Sequence, residues 1–133
     1  MVRKAEKSDI PQIIEIVKSE PNMDASDNTF SEEYFKEILS HHILLVEEHD
    51  EEIVGLCFGK YSEEQEWADI LGLVVLEKYR GQGIGTELTN TFEELLPKGI
   101  HSIDLYATPS EAKFFEKQGY ERSRTYIAYR KTI

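Results

Sequence analysis

Two rhythms of apolar residues run along this chain, and the places where one gives way to the other predict its elements. Val2-Arg3-Lys4-Ala5 reads as a short opening strand. Ser8-Asp9-Ile10-Pro11 then combines a capping residue with an early proline and starts a helix whose Ile10, Ile13, Ile14 and Val17 share one face. From Glu20 to Thr29 the period is lost among Pro21, Asn22, Asp24, Asp27 and Asn28, the composition of a loop. Ser31 caps a second helix. Phe30 before the cap and Phe35 inside it form a hydrophobic staple, and Tyr34, Phe35, Ile38 and Leu39 supply the buried stripe.

The second half switches to strand-like runs. Ile43 to Glu48 and Ile53 to Gly59 read as a hairpin closed by the polar turn His49-Asp50-Glu51-Glu52. Tyr61 to Glu66 is an acidic loop, and Trp67 to Val75 is a strand in which simple alternation puts Asp69, Leu71, Leu73 and Val75 on one face. A glycine-rich turn, Tyr79 to Thr86, leads into a helix carried by Ile84, Leu88, Phe92, Leu95 and Leu96 and stopped by Pro97 and Gly99. Ile100 to Ala107 is the next strand; pairing it in parallel with the strand ending at Val75 makes a right-handed crossover. Thr108-Pro109-Ser110 starts a helix from Glu111 to Gln118 that ends at Gly119, and Glu121 to Ile133, with Tyr126 and Tyr129, reads as a last antiparallel strand. The order β-α-α-β-β-β-α-β-α-β predicts one α/β domain over residues 1–133 with a mixed central sheet flanked by helices.

Composition narrows the partners. A formal charge of −11, from 15 basic and 26 acidic residues, argues against nucleic acid or an anionic membrane surface and favours a cationic partner. No apolar run approaches membrane-spanning length and no leader pattern opens the chain, so the expected setting is cytoplasmic. The lone Cys57, mid-strand among apolar neighbours, is expected to pack rather than react. His41 and His42 point in different directions and His49 and His101 stand alone, so no metal site is expected. A homodimer is compatible with the sequence, which does not specify the oligomeric state.

The chemistry gathers at Tyr79-Arg80-Gly81-Gln82-Gly83-Ile84-Gly85-Thr86. Glycines let a ligand approach the main chain, and the helix that follows turns its unpaired N–H groups and positive dipole end toward the same spot, a site for phosphate. Lys78 and Arg80 place cations beside it, against the general charge of the chain. No Gly-Lys-Ser/Thr ending is present, and the sixth place counted from Gly81 is Thr86, so neither a Walker loop nor a dinucleotide fingerprint is met.

The longer pattern, Leu73-Val74-Val75 followed by Arg80-x-x-Gly83-x-Gly85 and an amphipathic helix, resembles the acyl-CoA-binding motif of the GNAT N-acetyltransferase superfamily. The resemblance implies acetyl-CoA as cofactor, with the amides of Gly81, Gln82, Gly83, Ile84, Gly85 and Thr86 around its diphosphate beside Arg80. It also implies Leu73, Val74 and Val75 along the pantetheine arm, a splay between the two parallel strands at Val75, and Ser110 and Phe114 on the cofactor side of the last helix. By the same resemblance Asp69 would deprotonate the acceptor amine through water, and the Val75 amide would hold the oxyanion; the alternative for Asp69 is a strand-end carboxylate facing solvent. Glu64 and Glu66 are weaker candidates in the adjoining loop.

Ala112-Lys113-Phe114-Phe115-Glu116-Lys117-Gln118-Gly119-Tyr120 is similar to a second motif of that family, with one departure. Phe115 stands where the family often has the tyrosine that protonates the departing thiolate. Tyr106, Tyr120 and Tyr126 are possible substitutes, and Lys113 and Lys117 could meet the ribose phosphate. The implied reaction is direct acetyl transfer to a primary amine of a small molecule, peptide N-terminus or lysine. Two rival expectations are a catalytically silent acyl-CoA-binding sensor and a protein-interaction module.

Overall fold

The structure, a computed structural model, describes residues 1–21, 23, 29–124 and 129–133. Strand β1 (Val2–Lys4) and helices α1 (Ile10–Ser19) and α2 (Glu32–His41) precede strands β2 (Ile43–His49), β3 (Glu52–Ser62) and β4 (Trp67–Val75); helix α3 (Ile84–Leu95), strand β5 (Ser102–Leu105) and helix α4 (Ala112–Lys117) follow. The sheet runs β1-β2-β3-β4-β5 in space; its first three pairings are antiparallel and β4 with β5 is parallel. The predicted mixed α/β sheet is therefore present. Among the described residues no helix is long and apolar enough to cross a membrane.

Each face of the sheet has its own core. Ile10, Ile13, Ile16 and Val17 of α1 and Phe35 and Ile38 of α2 pack on Leu44, Val46, Leu56, Phe58 and Val74. Ile84, Leu88 and Phe92 of α3 pack on Leu45, Val54, Cys57, Ala68 and Ile70 from the other side. Burying these side chains, at about 1.5–3 kcal/mol for each large one, dominates the stability of a domain this size. Ser31 caps α2 as expected, its Oγ accepting from the Tyr34 N–H at 3.2 Å, and Phe30 stacks on Phe35 at 6.2 Å. At α1, a short 3-10 turn over Lys7–Asp9 comes first, and Glu6 and Asp9, not Ser8, exchange the capping bonds. Asp9 is held there by Arg3 through two bonds of 2.8 and 3.1 Å.

Three strand expectations change. Residues 61 and 62 belong to β3, and the turn between β3 and β4 occupies 63–66. Glu121 to Arg124, a polar run with no apolar residue to bury, is exposed and in no regular element, as are Tyr129 to Ile133. Residues 125–128, including Tyr126, lie outside the described residues, as do Asn22, Asp24, Asp27 and Asn28 of the first loop, so the expected last strand is not found among the described residues.

The third change concerns which way β4 faces. Gly59 pairs with Ile70 and Phe58 with Gly72, so Leu71 is an extra residue on β4 without a partner on β3, a β-bulge. A bulge reverses the alternation. Ala68 and Ile70 before it and Leu73 and Val75 after it face α3, whereas Val74 faces α1 and α2. Asp69, paired with Lys60, lies with the α2 face, where Lys60 Nζ stands 5.7 Å from the Tyr34 ring centroid. Asp69 thus does not share a face with Leu73 and Val75.

Candidate functional site

The site begins where β4 loses a neighbour. Its parallel pairing with β5 covers only Trp67–Ser102 to Ile70–Leu105, and β4 continues to Val75 with that edge open. The splay therefore starts at Ile70, earlier than the expected Val75, because β5 is four residues long and stops at Leu105. The Leu76 N–H donates to the Val54 carbonyl at 2.9 Å. In an antiparallel ladder the bonded positions alternate, so Val74 and Gly72 also address β3, and the main-chain groups of Leu73 and Val75 face the open edge. The Arg80 Nε accordingly reaches the Val75 carbonyl, at 2.9 Å.

Beyond β4 the glycine turn forms as its sequence requires. Gly81 (φ +78°) and Gly83 (φ +84°) are in the left-handed region that favours glycine, and a Cβ at either would meet nothing within 4 Å. The main chain here is open to a visitor. Among the described residues no backbone acceptor takes the N–H groups of Gly81 to Thr86; the first such bond is from Glu87 to the Gly83 carbonyl, at 3.0 Å. Unpartnered N–H groups at the positive end of α3 suit a diphosphate. Gly85 has a different role: a Cβ there would stand 3.1 Å from the Phe114 ring, so its bareness lets α4 close against α3. Gln118 Nε2 donates to the Thr86 hydroxyl at 3.0 Å and fixes the same approach.

A cleft of about 650 Å³ results, lined by Leu73, Val74, Val75, Arg80, Gly81, Gly83, Ile84, Gly85, Thr86, Ser110 and Phe114, all expected from the sequence. Gln82, also expected, does not line it; Tyr79 and Phe115, which belong to the two motifs, line it as well, and Glu20 and Glu111 do and were not expected there. A second cavity of about 240 Å³ lies in the gap between β4 and β5, against Met23, Phe30, Ile70, Leu71, Gly72, Leu105 and Tyr106. The two share Glu20, Leu73, Glu111 and Phe115, which form the seam between them. Sixty positions separate Glu20 from Arg80, so sequence offers only the acidity of its loop as a hint.

Charge at the site is paired. Arg80 Nη2 lies 3.3 Å from Glu20 Oε2, with the Glu20 side chain 11 % exposed and Arg80 54 %. Lys78 Nζ stands 5.8 Å from the centroid of the Tyr79 ring, and none of Lys78, Lys113 and Lys117 lines the cleft. Glu111 Oε1 accepts from the Thr108 N–H at 2.9 Å and the Thr108 hydroxyl at 2.8 Å, which organises the start of α4. Asp69 lines neither cavity. Burial, and then the charge of its strand partner Asp104, raise its pKa above the ordinary carboxylate value.

Phe115, buried at the seam, has no proton to offer. Of the candidate substitutes, Tyr120 lines neither cavity and donates its hydroxyl to Glu93 Oε1 at 3.0 Å, and burial together with that bond raises its pKa. Tyr106 lines the second cavity and is 81 % exposed. Cys57 is fully buried, and desolvation pushes its thiol well above the ordinary value, so it packs. Among the described residues no three His, Cys, Asp or Glu side chains gather as metal ligands would.

A family model described as an acetyltransferase (GNAT) domain matches residues 40–122, which hold the hairpin, β4, the glycine turn, α3, β5 and α4. No curated protein matches the chain. Among solved structures, a transcriptional regulator from Bacillus halodurans C-125 is 25 % identical over 98 % of each chain, with a TM-score of 0.78. PaiA N-acetyltransferase from Thermoplasma acidophilum, solved with coenzyme A, is 21 % identical over 94 % of this chain and 91 % of its own, with a TM-score of 0.80. A predicted acetyltransferase from Clostridium acetobutylicum, solved with acetyl-CoA, is 21 % identical over 98 % of this chain and 95 % of its own, at 0.78.

Proposed function

The chain belongs to the GNAT acetyltransferase family, and from that premise we propose that it moves the acetyl group of acetyl-CoA directly to a primary amine, with both substrates bound together. The observation that carries this reading is the early end of the β4–β5 pairing at Ile70 and Leu105. It leaves one continuous path from the bare amides of the glycine turn, along the open edge of β4, to the second cavity.

Acetyl-CoA supplies an activated acyl thioester; the residues supply position and charge. The N–H groups of Gly81 to Thr86 fit the diphosphate, with Arg80 beside them, and Ser110 and Phe114 form the opposite wall. Leu73 and Val75 offer outward main-chain groups to which an extended amide arm pairs as an added strand. The Val75 N–H is then placed to stabilise charge on the carbonyl oxygen under attack. An aliphatic amine, with a pKa of about 10.4, is protonated at pH 7 and must lose its proton before it attacks. Asp69 is the base in this reading. It stands outside the cavities, so the proton reaches it through water, and burial together with the nearby Asp104 carboxylate raises its pKa, the direction that makes it a stronger base.

The second cavity carries two carboxylates, Glu20 and Glu111, and among the described residues no lysine or arginine, a lining that favours a cationic acceptor over a phosphorylated one. Calorimetric titration with acetyl-CoA, followed by thiol release across a panel of small amines, peptides and polyamines, tests the proposal. Turnover with at least one amine class is expected. Binding without turnover would instead favour a silent acyl-CoA sensor, the reading that Phe115 supports, and absence of binding would leave only an interaction module.

A further inference from the structure

Two carboxylates reach the seam between the cavities, Glu20 and Glu111, and they do so beside two apolar side chains, Leu73 and Phe115. The carboxylates are not equivalent. Glu20 is engaged by the Arg80 guanidinium, 3.3 Å away. Glu111 commits one oxygen to its own turn: Oε1 accepts from the Thr108 N–H at 2.9 Å and from the Thr108 hydroxyl at 2.8 Å. Its other oxygen, Oε2, has no hydrogen bond or ion pair among the described residues.

Two donors on Oε1 hold the carboxylate in place and leave Oε2 as an acceptor. The one proton of the Thr108 hydroxyl goes to Glu111, so in the 3.0 Å contact between Thr108 and Ser110 the serine hydroxyl is the donor. Ser110 lines the coenzyme cleft, and a single chain of bonds therefore runs from that cleft through Thr108 to the seam. Neither partner carries a charge, so the negative charge of Glu111 is oriented without being neutralised. An ammonium entering the seam meets an anionic oxygen flanked by the Leu73 and Phe115 side chains, and a charge-assisted bond gains strength in such apolar surroundings. A primary ammonium has three N–H donors, so it keeps this bond after losing the one proton that frees its lone pair.

We propose that Glu111, through Oε2, binds the ammonium group of the acceptor at the seam, and that Thr108 positions it. The inference rests on the acetyl-transfer reading above and names the acceptor-binding residue within it. Glu111 acts on binding, while the proton follows the water route to Asp69.

Glu111→Gln retains an oxygen for both Thr108 donors and removes the charge, so it separates acceptor binding from the shape of the turn. Thiol release from acetyl-CoA is followed with putrescine, benzylamine, lysine and a short peptide with a free N-terminus. For the amine turned over best, Glu111→Gln is expected to raise KM about tenfold or more, as for a lost bond to a charged group, with kcat changed less than about threefold and Glu111→Asp falling between the two. An unchanged KM, or a fall in kcat at constant KM, overturns the proposal. Thr108→Val leaves the charge in place and is expected to raise KM about two- to fivefold, with little effect in the Glu111→Gln background; equal effects in both backgrounds overturn the positioning role. Coenzyme A affinity, read by calorimetric titration, is expected to stay within about twofold in Glu111→Gln, and a loss as large as the change in KM would assign Glu111 to the coenzyme instead. Thermal unfolding of each variant guards against loss of the fold, and Thr108→Val carries the test where Glu111→Gln melts early. Wild-type protein that binds no coenzyme A, or turns over none of these amines, fails the acetyl-transfer reading and this one together, whereas turnover with the KM of Glu111→Gln unmoved fails this one alone.

Discussion

Replacing Gly83 by alanine isolates what the glycine turn contributes. Gly83 sits at φ +84° and ψ 6°, immediately before α3, and a Cβ placed there meets no atom within 4 Å. The substitution therefore introduces no clash; its whole effect on stability is the left-handed backbone forced on an L-residue, about 1–2 kcal/mol. Part is offset, because alanine also restricts the unfolded chain by about 0.4–1 kcal/mol. The net of about 1 kcal/mol corresponds to a melting temperature lower by about 3–5 °C for a domain of this size. The same methyl projects into the cleft that Gly83 lines, so coenzyme A affinity should fall as well, by about tenfold for each 1.4 kcal/mol of lost contact. Gly85→Ala is the contrast. Its backbone is helical, alanine gains about 1 kcal/mol of helix propensity there, and the new methyl must push the Phe114 ring from 3.1 Å. That variant should melt within about 2 °C of the wild type yet bind coenzyme A more weakly, because Phe114 is displaced into the cleft. Differential scanning calorimetry and calorimetric titration read both quantities. A Gly83→Ala protein with wild-type melting temperature and wild-type affinity would refute the assignment of this turn.

Asp69 holds its proton more tightly in the folded than in the unfolded chain, so its ionisation lowers stability as pH rises through and above the ordinary carboxylate range. Asp69→Asn should accordingly melt higher than the wild type at pH 7, lose that advantage below about pH 3.9, and remove the acid limb of the kcat/KM profile; a variant melting lower at pH 7 counts against the burial argument. Phe115→Tyr places a hydroxyl at the seam and should raise kcat by about tenfold, below the usual 10²–10⁴ of general acid catalysis because a thiolate is a tolerable leaving group; an unchanged rate at equal fold stability would mean that thiol departure needs no acid. Gly59→Ala puts a Cβ 2.0 Å from the Asp69 carbonyl and 2.7 Å from Phe92, so it should cost about 3 kcal/mol or more in denaturant unfolding.

Much of this site was legible in the order of residues, because its chemistry is local. Gly81, Gly83 and the start of α3 are consecutive, so backbone conformation, amide direction and helix dipole follow from neighbours. The same holds for the Ser31 cap and for the stripe of Ile84, Leu88 and Phe92, whose spacing alone assigns a buried face. The last strand was not recovered: Tyr126 falls outside the described residues, and the polar run Glu121 to Arg124 has no apolar face to bury.

Tertiary structure decided what depends on partners distant in sequence. Whether β4 carries a bulge is settled by its register on β3, and the extra residue Leu71 sends Asp69 to the face opposite Leu73 and Val75, against the simple alternation. How far β5 accompanies β4 sets the opening at Ile70, and no property of either strand read singly specifies it. The meeting of Glu20 with Arg80 is of the same kind, since two side chains sixty positions apart are neighbours only because α1 ends over the splayed edge of the sheet. Local geometry is written in adjacent residues, whereas register and long-range charge pairing exist only once the sheet has assembled.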